Sequence, residues 1–411
     1  MTSLPKCRAC GHELVHTLVD LGDSPLANSY VPVDQVAQPD KLFPLHARVC
    51  GNCFLVQVDD VVPPSEIFSH YAYFSSYSSS WVDHARKYAE FATRRLELNS
   101  SSLVVEVASN DGYLLQHFVN TNIPVLGIEP AENVAAVARE KGIQTDVAFF
   151  GVETAKSILK KHGHADLTAA NNVLAHVPDI NDFVAGFSVL LKENGVATFE
   201  FPHLLNLLEK NQFDTIYHEH FSYLSLYAVE KCFSQNGLAV FDVETLLTHG
   251  GSLRVWAQKT GAPKPETEAL KKLRQFEDAA KISNLETYQG FKTKVDKIKD
   301  DLRSFIAEAK KEGKKVAAYG AAAKGNTLLN YCNVTFEDID FVVDANPHKQ
   351  NTYLPGSRIP VKAPDTLKEE RPDYLIILPW NLQDEIIEAT KFIRSWNGKF
   401  VVAIPEVRIL T

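Results

Sequence analysis

Two short cysteine pairs near the N-terminus, Cys7-Arg-Ala-Cys10 and Cys50-Gly-Asn-Cys53, limit what the first 65 residues can become. Each pair sets two thiolates on one knuckle. Two such knuckles can close the tetrahedral all-cysteine site that holds structural zinc. The stretches between them, "LVDLGDSPLANSYV" (18–31) and "LFPLHARVC" (42–50), read as turns and short strands, too few to form a core without a staple. Four protein ligands leave no open position for water or substrate, so zinc at Cys7, Cys10, Cys50 and Cys53 is expected to hold the fold. Cys232 and Cys332 stand alone, so the cysteines do not form a disulfide framework.

The rest of the 411-residue chain is too long for one hydrophobic core. Residues 66–258 alternate short β-branched runs with amphipathic stretches: "SLVVEVAS", "YLLQHFV", "PVLGIEP", "NVAAVAREKG", "ADLTAANNVLAHV", "DINDFVAGFSVLLKENG", "VATFEFPH". That alternation predicts a doubly wound α/β domain with a parallel sheet covered on both faces. "GLAVFDVETL" and "GSLRVWAQ" read as a closing antiparallel pair. Residues 259–411 begin with charged helical sequence over 264–313, with Gly313 as its stop signal. Strand–turn–helix alternation then resumes, which predicts a second, smaller α/β domain.

A net charge of −9 argues against an extended nucleic-acid surface. No apolar run reaches the length that spans a bilayer, and "MTSLPKCRAC" lacks the apolar stretch of a signal peptide. A cytoplasmic protein with neither membrane nor nucleic-acid partner is expected.

The strongest ligand signature is "VVEVASNDGYLLQHF". A strand carries Glu106, its turn carries Ser109, Asn110, Asp111 and Gly112, and a second strand ends in Glu129. The tight turn lets a ligand approach the backbone, and the second acid can accept hydrogen bonds from ribose hydroxyls. A dinucleotide pyrophosphate requires GxGxxG, and only Gly112 is present here. S-adenosylmethionine (SAM) carries no phosphate but bears a sulfonium and an ammonium, which suits an acid-bearing turn. "AANNVLAHVPD" closes a later strand and would place Asn171, Asn172 and His176 beyond the carboxyl ends of the strands, where such sheets bind ligands. In the last segment, "YGAAAKGNTLLN" resembles a degenerate anion-binding turn, with Gly320, Lys324, Gly325 and Asn326 before or within a helix.

The densest collection of proton-handling groups is "FDTIYHEHFSYLS" (213–225), whose polar groups follow neither helical nor strand periodicity. Were the segment extended, His218 and His220 would share a face.

Taken in order, the paired CxxC around "LGDSPLAN", then "EVASNDGYLL", "IYHEHFSYLS", "THGGSLRV" and "YGAAAKGN" resemble the SAM-dependent sugar C-methyltransferases that act on nucleotide-linked keto-deoxysugars. The resemblance covers essentially the whole chain. It implies a zinc-binding N-terminal domain, a central Rossmann-like SAM domain and a C-terminal domain that helps hold the nucleotide sugar, with thymidine diphosphate the usual carrier and C-3 the favoured carbon. One position departs: Ala108 stands where the family's turn has glycine, which is tolerable if the backbone there keeps a negative φ. The resemblance places Tyr217, Glu219, His220 and His176 at the reacting carbon, together with a tyrosine from "SHYAYFSSYSSS", by position Tyr71, with Tyr73 and Tyr77 as rivals.

Such chemistry accounts for the crowding. A sugar carbon becomes nucleophilic only when a proton beside a ketone is removed and the enolate oxygen stabilised. A histidine is a fitting base, and a placed acid–base group contributes ~10²–10⁴ in rate. On the family match His220 is the base, with His218 its rival. Glu219 would orient or polarise the sugar, Tyr217 and Tyr71 would hold hydroxyls or the enolate oxygen, and His176 would stabilise that oxygen or shuttle a proton. Two other readings fit parts of the chain: a nicotinamide-dependent nucleotide-sugar oxidoreductase and a zinc-ribbon RNA methyltransferase.

Overall fold

A computed structural model describes residues 4–59, 62–63 and 74–410. The first segment forms β1 (His16–Ser24), β2 (Val31–Pro32), β3 (Phe43–Val49) and β4 (Val56–Val58). β3 shows the two-residue period of a half-buried strand: Leu45, Ala47 and Val49 point inward between more exposed neighbours.

The middle segment runs α1 (Ser79–Leu96), β5 (Val104–Val107), α2 (Leu115–Val119), β6 (Val125–Ile128), α3 (Glu132–Glu140), β7 (Thr145–Asp146), α4 (Val152–His162), β8 (Ala165–Asn171), α5 (Ile180–Leu190), β9 (Leu191–Pro202), α6 (Leu204–Glu209), β10 (Ser222–Tyr223), α7 (Leu226–Gln235), β11 (Leu238–Leu246) and β12 (Ser252–Lys259). The seven-stranded sheet has the order β11-β12-β9-β8-β5-β6-β7. β9 to β7 are parallel, and β12 and β11 close the sheet antiparallel, as expected. From β5 the chain winds outward to β6 and β7, then returns to the other side as β8 and β9. The topological switch therefore falls between the carboxyl ends of β5 and β8, where such sheets bind ligands.

The last segment contributes α8 (Glu268–Ala279), α9 (Phe291–Lys311), β13 (Val316–Tyr319), α10 (Ala323–Tyr331), β14 (Val342–Val343), β15 (Thr352–Tyr353), β16 (Pro360–Lys362), α11 (Thr366–Glu370), β17 (Tyr374–Ile377), α12 (Gln383–Thr390), β18 (Lys399–Val402) and β19 (Arg408–Leu410). α9 buries Phe291, Val295, Ile298, Leu302, Ile306 and Ala309, a three-and-four spacing that makes one apolar stripe. Each large side chain in such a stripe contributes roughly 1.5–3 kcal/mol when fully buried.

Strands distant in sequence share sheets. β10, just past the Tyr-His-Glu-His stretch, pairs with β4 to complete the order β1-β3-β4-β10. β2 pairs with β15 and ends the eight-stranded order β19-β18-β17-β13-β14-β16-β15-β2. One hydrophobic core joins Val19, Leu45 and Ala47 of the first sheet to Leu302 of α9 and to Ala318 and Ile376 of the last. A second core sets Cys7, Cys50 and Cys53 against Phe199, Phe201 and Phe233 of the middle segment. The N-terminal unit is thus packed against both others. Among the described residues no helix is long and apolar enough to cross a membrane.

Candidate active site

The turn after β5 is built from left-handed residues: Ala108, Asn110 and Gly112 have φ of 56°, 49° and 78°. Ala108 therefore does not keep the negative φ under which its methyl group would be innocuous. It holds a conformation that costs a non-glycine residue roughly 1–2 kcal/mol. At Gly112 a side chain is excluded twice over, by φ and because a Cβ would lie 2.3 Å from Ile143 Cδ1.

The winding delivers polar groups to one place. Glu129 accepts from the Asn110 and Ala131 backbone N–H groups, both at 2.9 Å. Asn110 Oδ1 accepts from Ser75 N–H at 2.9 Å, and Asp111 Oδ2 from Ser76 N–H at 3.2 Å. Lys141 Nζ lies 3.3 Å from the same Asp111 oxygen. Ser75, Ser76 and Lys141 had no sequence signal; they brace the turn.

Several buried oxygens of this cluster have no hydrogen-bond partner among the described residues: both of Glu106, Ser109 Oγ, Asp111 Oδ1, Asn171 Oδ1 and Asn172 Oδ1. Burial pushes the Glu106 carboxyl well above the usual range, against the nearby Tyr113 hydroxyl, and raises Glu129 against its two backbone donors. Buried acids and amides without partners are costly unless a ligand supplies them. A cofactor bearing an ammonium and ribose hydroxyls fits this donor-poor, acceptor-rich set. Glu106, Ser109 and Asp111 would face its methionine end, and Glu129 its ribose.

The Tyr-His-Glu-His stretch is a turn, not a strand: His220 N–H donates to Tyr217 O at 2.9 Å. His218 and His220 consequently do not share a face. His218 Nε2 donates to the Pro44 carbonyl at 3.2 Å, and its ring lies edge-on to Phe43. It is packed into the N-terminal sheet. His220 Nδ1 donates to the Thr215 carbonyl at 2.9 Å, which leaves Nε2 to accept the Tyr217 hydroxyl at 2.8 Å. The His176 ring stands 4.6 Å from the His220 ring, edge to face. Burial, then the neighbouring His176, lowers His220 well below the ordinary histidine value. Burial brings His176 to about 4. Both rings are neutral near pH 7.

Glu219 turns another way, toward the loop between β1 and β2. Asn28 Nδ2 lies 2.8 Å from each carboxylate oxygen, and burial pushes the acid up to about 7. That loop is held from the last segment. Asn326 Nδ2 donates to Ala27 O at 2.6 Å, and the Tyr30 hydroxyl to Ala321 O at 2.5 Å. Asn28 and Tyr30 lie in the quoted "LGDSPLAN" stretch and just past it, and nothing local gave either a role.

Lys324 stands at the start of α10, hydrogen-bonded to Asn381 Oδ1 at 2.6 Å and 4.8 Å above the Trp380 ring. Trp380 Nε1 donates to Asp214 Oδ2 at 2.7 Å. Burial pushes Asp214 up to about 6 against Lys324, and pulls the lysine down. Gly320 and Gly325 leave no room for a side chain. A Cβ at Gly320 would lie 2.4 Å from Pro379 Cδ, and one at Gly325 2.9 Å from Leu378 Cβ. Both allow α10 to sit close to the end of β17. Tyr71 and Tyr73 lie outside the described residues, and Tyr77 is exposed and stacked on Phe74.

The four N-terminal cysteines converge, their sulfurs all within 4.8 Å of one another. Cys7 Sγ lies 3.5 Å from Cys53 Sγ, and Cys10 Sγ 3.5 Å from Cys50 Sγ. Gln57 Nε2 donates to Cys7 Sγ at 3.2 Å, and the Asn52 N–H to Cys50 Sγ at 3.4 Å. Four crowded thiols with N–H donors aimed at the sulfurs fit a tetrahedral Zn²⁺ bound by thiolates.

The doubly wound sheet, its acid-bearing turn and the appended four-cysteine unit define a SAM-dependent methyltransferase that binds zinc. Comparison with known proteins narrows this. Residues 7–68 match a zinc binding domain family, 81–243 a methyltransferase domain, and 247–405 the C-methyltransferase C-terminal domain. The chain is 37% identical over 408 residues to C-methyltransferase NovU of Streptomyces niveus, covering 99% of this chain and 97% of that protein. It is also 26% identical over 163 residues to a ubiquinone biosynthesis O-methyltransferase of Rhodopseudomonas palustris, covering 34% of this chain and 62% of that one. Among solved structures, the PH0226 protein of Pyrococcus horikoshii aligns with a TM-score of 0.38 at 13% identity, covering 48% of this chain and 98% of that one. The chain belongs to the SAM-dependent sugar C-methyltransferase family. Neither the nicotinamide nor the RNA-methylating reading finds support in these matches.

Proposed function

We propose that the protein methylates a carbon beside the ketone of a nucleotide-linked 4-keto-deoxysugar, C-3 being the favoured carbon and thymidine diphosphate the favoured carrier. The observation that carries this reading is the Tyr217–His220 pair with His176 against it, beyond the strands that bear the SAM turn. O-methylation of a hydroxyl needs one base. Carbon methylation needs a base and a group that stabilises an enolate, and this site holds both.

His220 is the base. Its Nδ1–H is committed to the Thr215 carbonyl, which fixes the tautomer and presents the Nε2 lone pair. As Nε2 takes the α-proton, the Tyr217 hydroxyl is released from it and turns to the sugar oxygen. The C–H electron pair moves into the enolate, whose oxygen is stabilised by Tyr217, by Tyr71 and by neutral His176 as donor. Glu219, held by Asn28, orients a sugar hydroxyl. Lys324, at the start of α10, would meet the nucleotide portion, and Asn326 would hold the Asn28 loop beside it. SAM supplies the electrophilic methyl group when bound.

The test is mass spectrometry of products formed from methyl-labelled SAM and a panel of nucleotide-linked 4-keto-6-deoxysugars. A product heavier by one methyl group, lost in His220→Ala and kept in His218→Ala, is the expected result. Solvent deuterium should enter beside the ketone even when S-adenosylhomocysteine replaces SAM. Methylation on oxygen, or an unimpaired His220→Ala enzyme, overturns the reading.

A further inference from the structure

We propose that His249 is a further substrate-contacting residue of this site, delivered to the reacting sugar by a strained turn between β11 and β12; this rests on the sugar C-methylation proposed above. His249, Gly250 and Gly251 have φ of 53°, 85° and 120°, three left-handed residues in succession. Glycine suits the second and third. At the first, histidine occupies a conformation that glycine would adopt without the cost of roughly 1–2 kcal/mol. Strain of this kind persists where the surroundings over-determine it, and it concentrates at functional sites.

The surroundings do over-determine it. Gly251 N–H and the Ser252 hydroxyl both donate to Thr248 O at 2.9 Å. The Thr248 hydroxyl donates to Glu200 Oε1 at 3.0 Å. Glu200 is fully buried, 2.6 Å from Arg254 Nη2 and 2.9 Å from His84 Nε2. From the other side Gln212 Nε2 and Lys210 Nζ donate to Gly250 O at 3.2 and 3.3 Å. A Cβ on Gly250 would lie 2.4 Å from the Trp380 ring, the same ring that Lys324 overlies.

What this scaffold presents is the imidazole. Its ring stands edge-on to Trp81 at 5.3 Å, and Trp81 in turn stacks on His84 at 4.9 Å and Tyr113 at 6.0 Å. Tyr113 directly follows the SAM turn. His249 is exposed, and Lys324, Glu200 and His84 are the charged groups in its range. Through Trp81 on one side and Trp380 on the other, the turn lies between Tyr113, beside the SAM turn, and Lys324 of α10. A neutral imidazole there can donate to an enolate or hydroxyl oxygen without placing a second charge in the site.

Two variants test this. His249→Gly removes the ring and the backbone strain together. His249→Asn keeps a donor and tolerates the left-handed region. His249→Gly is expected to melt at or above the wild-type temperature, to bind S-adenosylhomocysteine within about twofold of wild type by calorimetry, and to lose about 10²-fold in kcat/KM. His249→Asn should recover part of that loss. A His249→Gly enzyme that keeps its turnover, or one that melts lower because the ring is only packing on Trp81, overturns the proposal. If the wild type methylates no ketosugar, the proposed function falls separately. The role of His249 is then decided by melting alone: an equal or higher temperature for His249→Gly upholds a site-directed strain, and a lower one refutes it.

Discussion

Two strand–turn–helix units in this chain look alike in outline and differ in what their polar groups are doing. In the middle segment the turn after β5 is followed by a strand ending in Glu129. In the last segment the turn after β13 is followed by a strand ending at Asp344. At both turns the strand-end acid is occupied: Glu129 accepts from the Asn110 and Ala131 N–H groups at 2.9 Å, and Asp344 from the Ala321 and Asn346 N–H groups at 2.8 Å, with Lys349 Nζ 3.8 Å away. Gly320 and Gly325 there serve close packing. At the first turn, Glu106 and Asp111 keep buried oxygens with no partner among the described residues. The same supersecondary unit leaves polar valences open toward the proposed cofactor in one case and closes them internally in the other.

The comparison can be broken by substitutions. The largest effects should come where both turns are equally intolerant. Gly112→Ala and Gly320→Ala each combine a left-handed φ with a contact below 2.5 Å, and each should lose about 2–5 kcal/mol in denaturant melts. Equal losses would show that backbone geometry is common to the two turns and does not distinguish them.

Glu106→Gln should then separate them, weakening S-adenosylhomocysteine binding by about 10²-fold in calorimetry while leaving the fold as stable or more so. Because burial raises the Glu106 pKa, the free carboxyl holds a proton that a cationic partner would expel. Wild-type binding should therefore release protons and tighten as pH rises, and Glu106→Gln should abolish both effects. Asp344→Asn should do the reverse, leaving cofactor affinity unchanged while costing about 1–3 kcal/mol of stability.

Smaller still is the contribution of Glu219. Its folded pKa of about 7 lies above the ordinary 4.5, so the group favours the fold below pH 4.5 and that contribution is lost as pH rises through 7. Glu219→Gln should flatten the stability profile across that window. Last, Ala108→Gly should raise stability slightly in denaturant melts, by about 1 kcal/mol or less once the added chain entropy is subtracted.

What the sequence revealed and what it hid divide along local and non-local lines. The alternation that built β5 to β9, the acids at strand ends and the two cysteine knuckles are local patterns, and each was visible as residues in order. β2 and β10 are two residues long, too short for periodicity, so their pairing with β15 and β4 left no trace. The choice between His218 and His220 was obscured because alternation assumes an extended chain, whereas the Tyr217–His220 turn sends successive side chains to different neighbours. Asn28 reaches Glu219 across 191 residues, and no spacing rule connects them. His249 was visible as a letter within "THGGSLRV", but a positive φ at a histidine is a property of the fold around it.

The seam formed by β2 also bears on the order of assembly. The Arg358 guanidinium bonds the Gln38 carbonyl, 320 residues away, and Asp40 accepts from the Gly356 N–H at 2.7 Å. These contacts cannot form until most of the chain has left the ribosome. Loop closures of this length slow folding and leave edges waiting. The zinc knuckles can form early and locally, and would keep the N-terminal strands compact through that delay. A zinc site closed early would hold one side of that joint in place until the other side is synthesised.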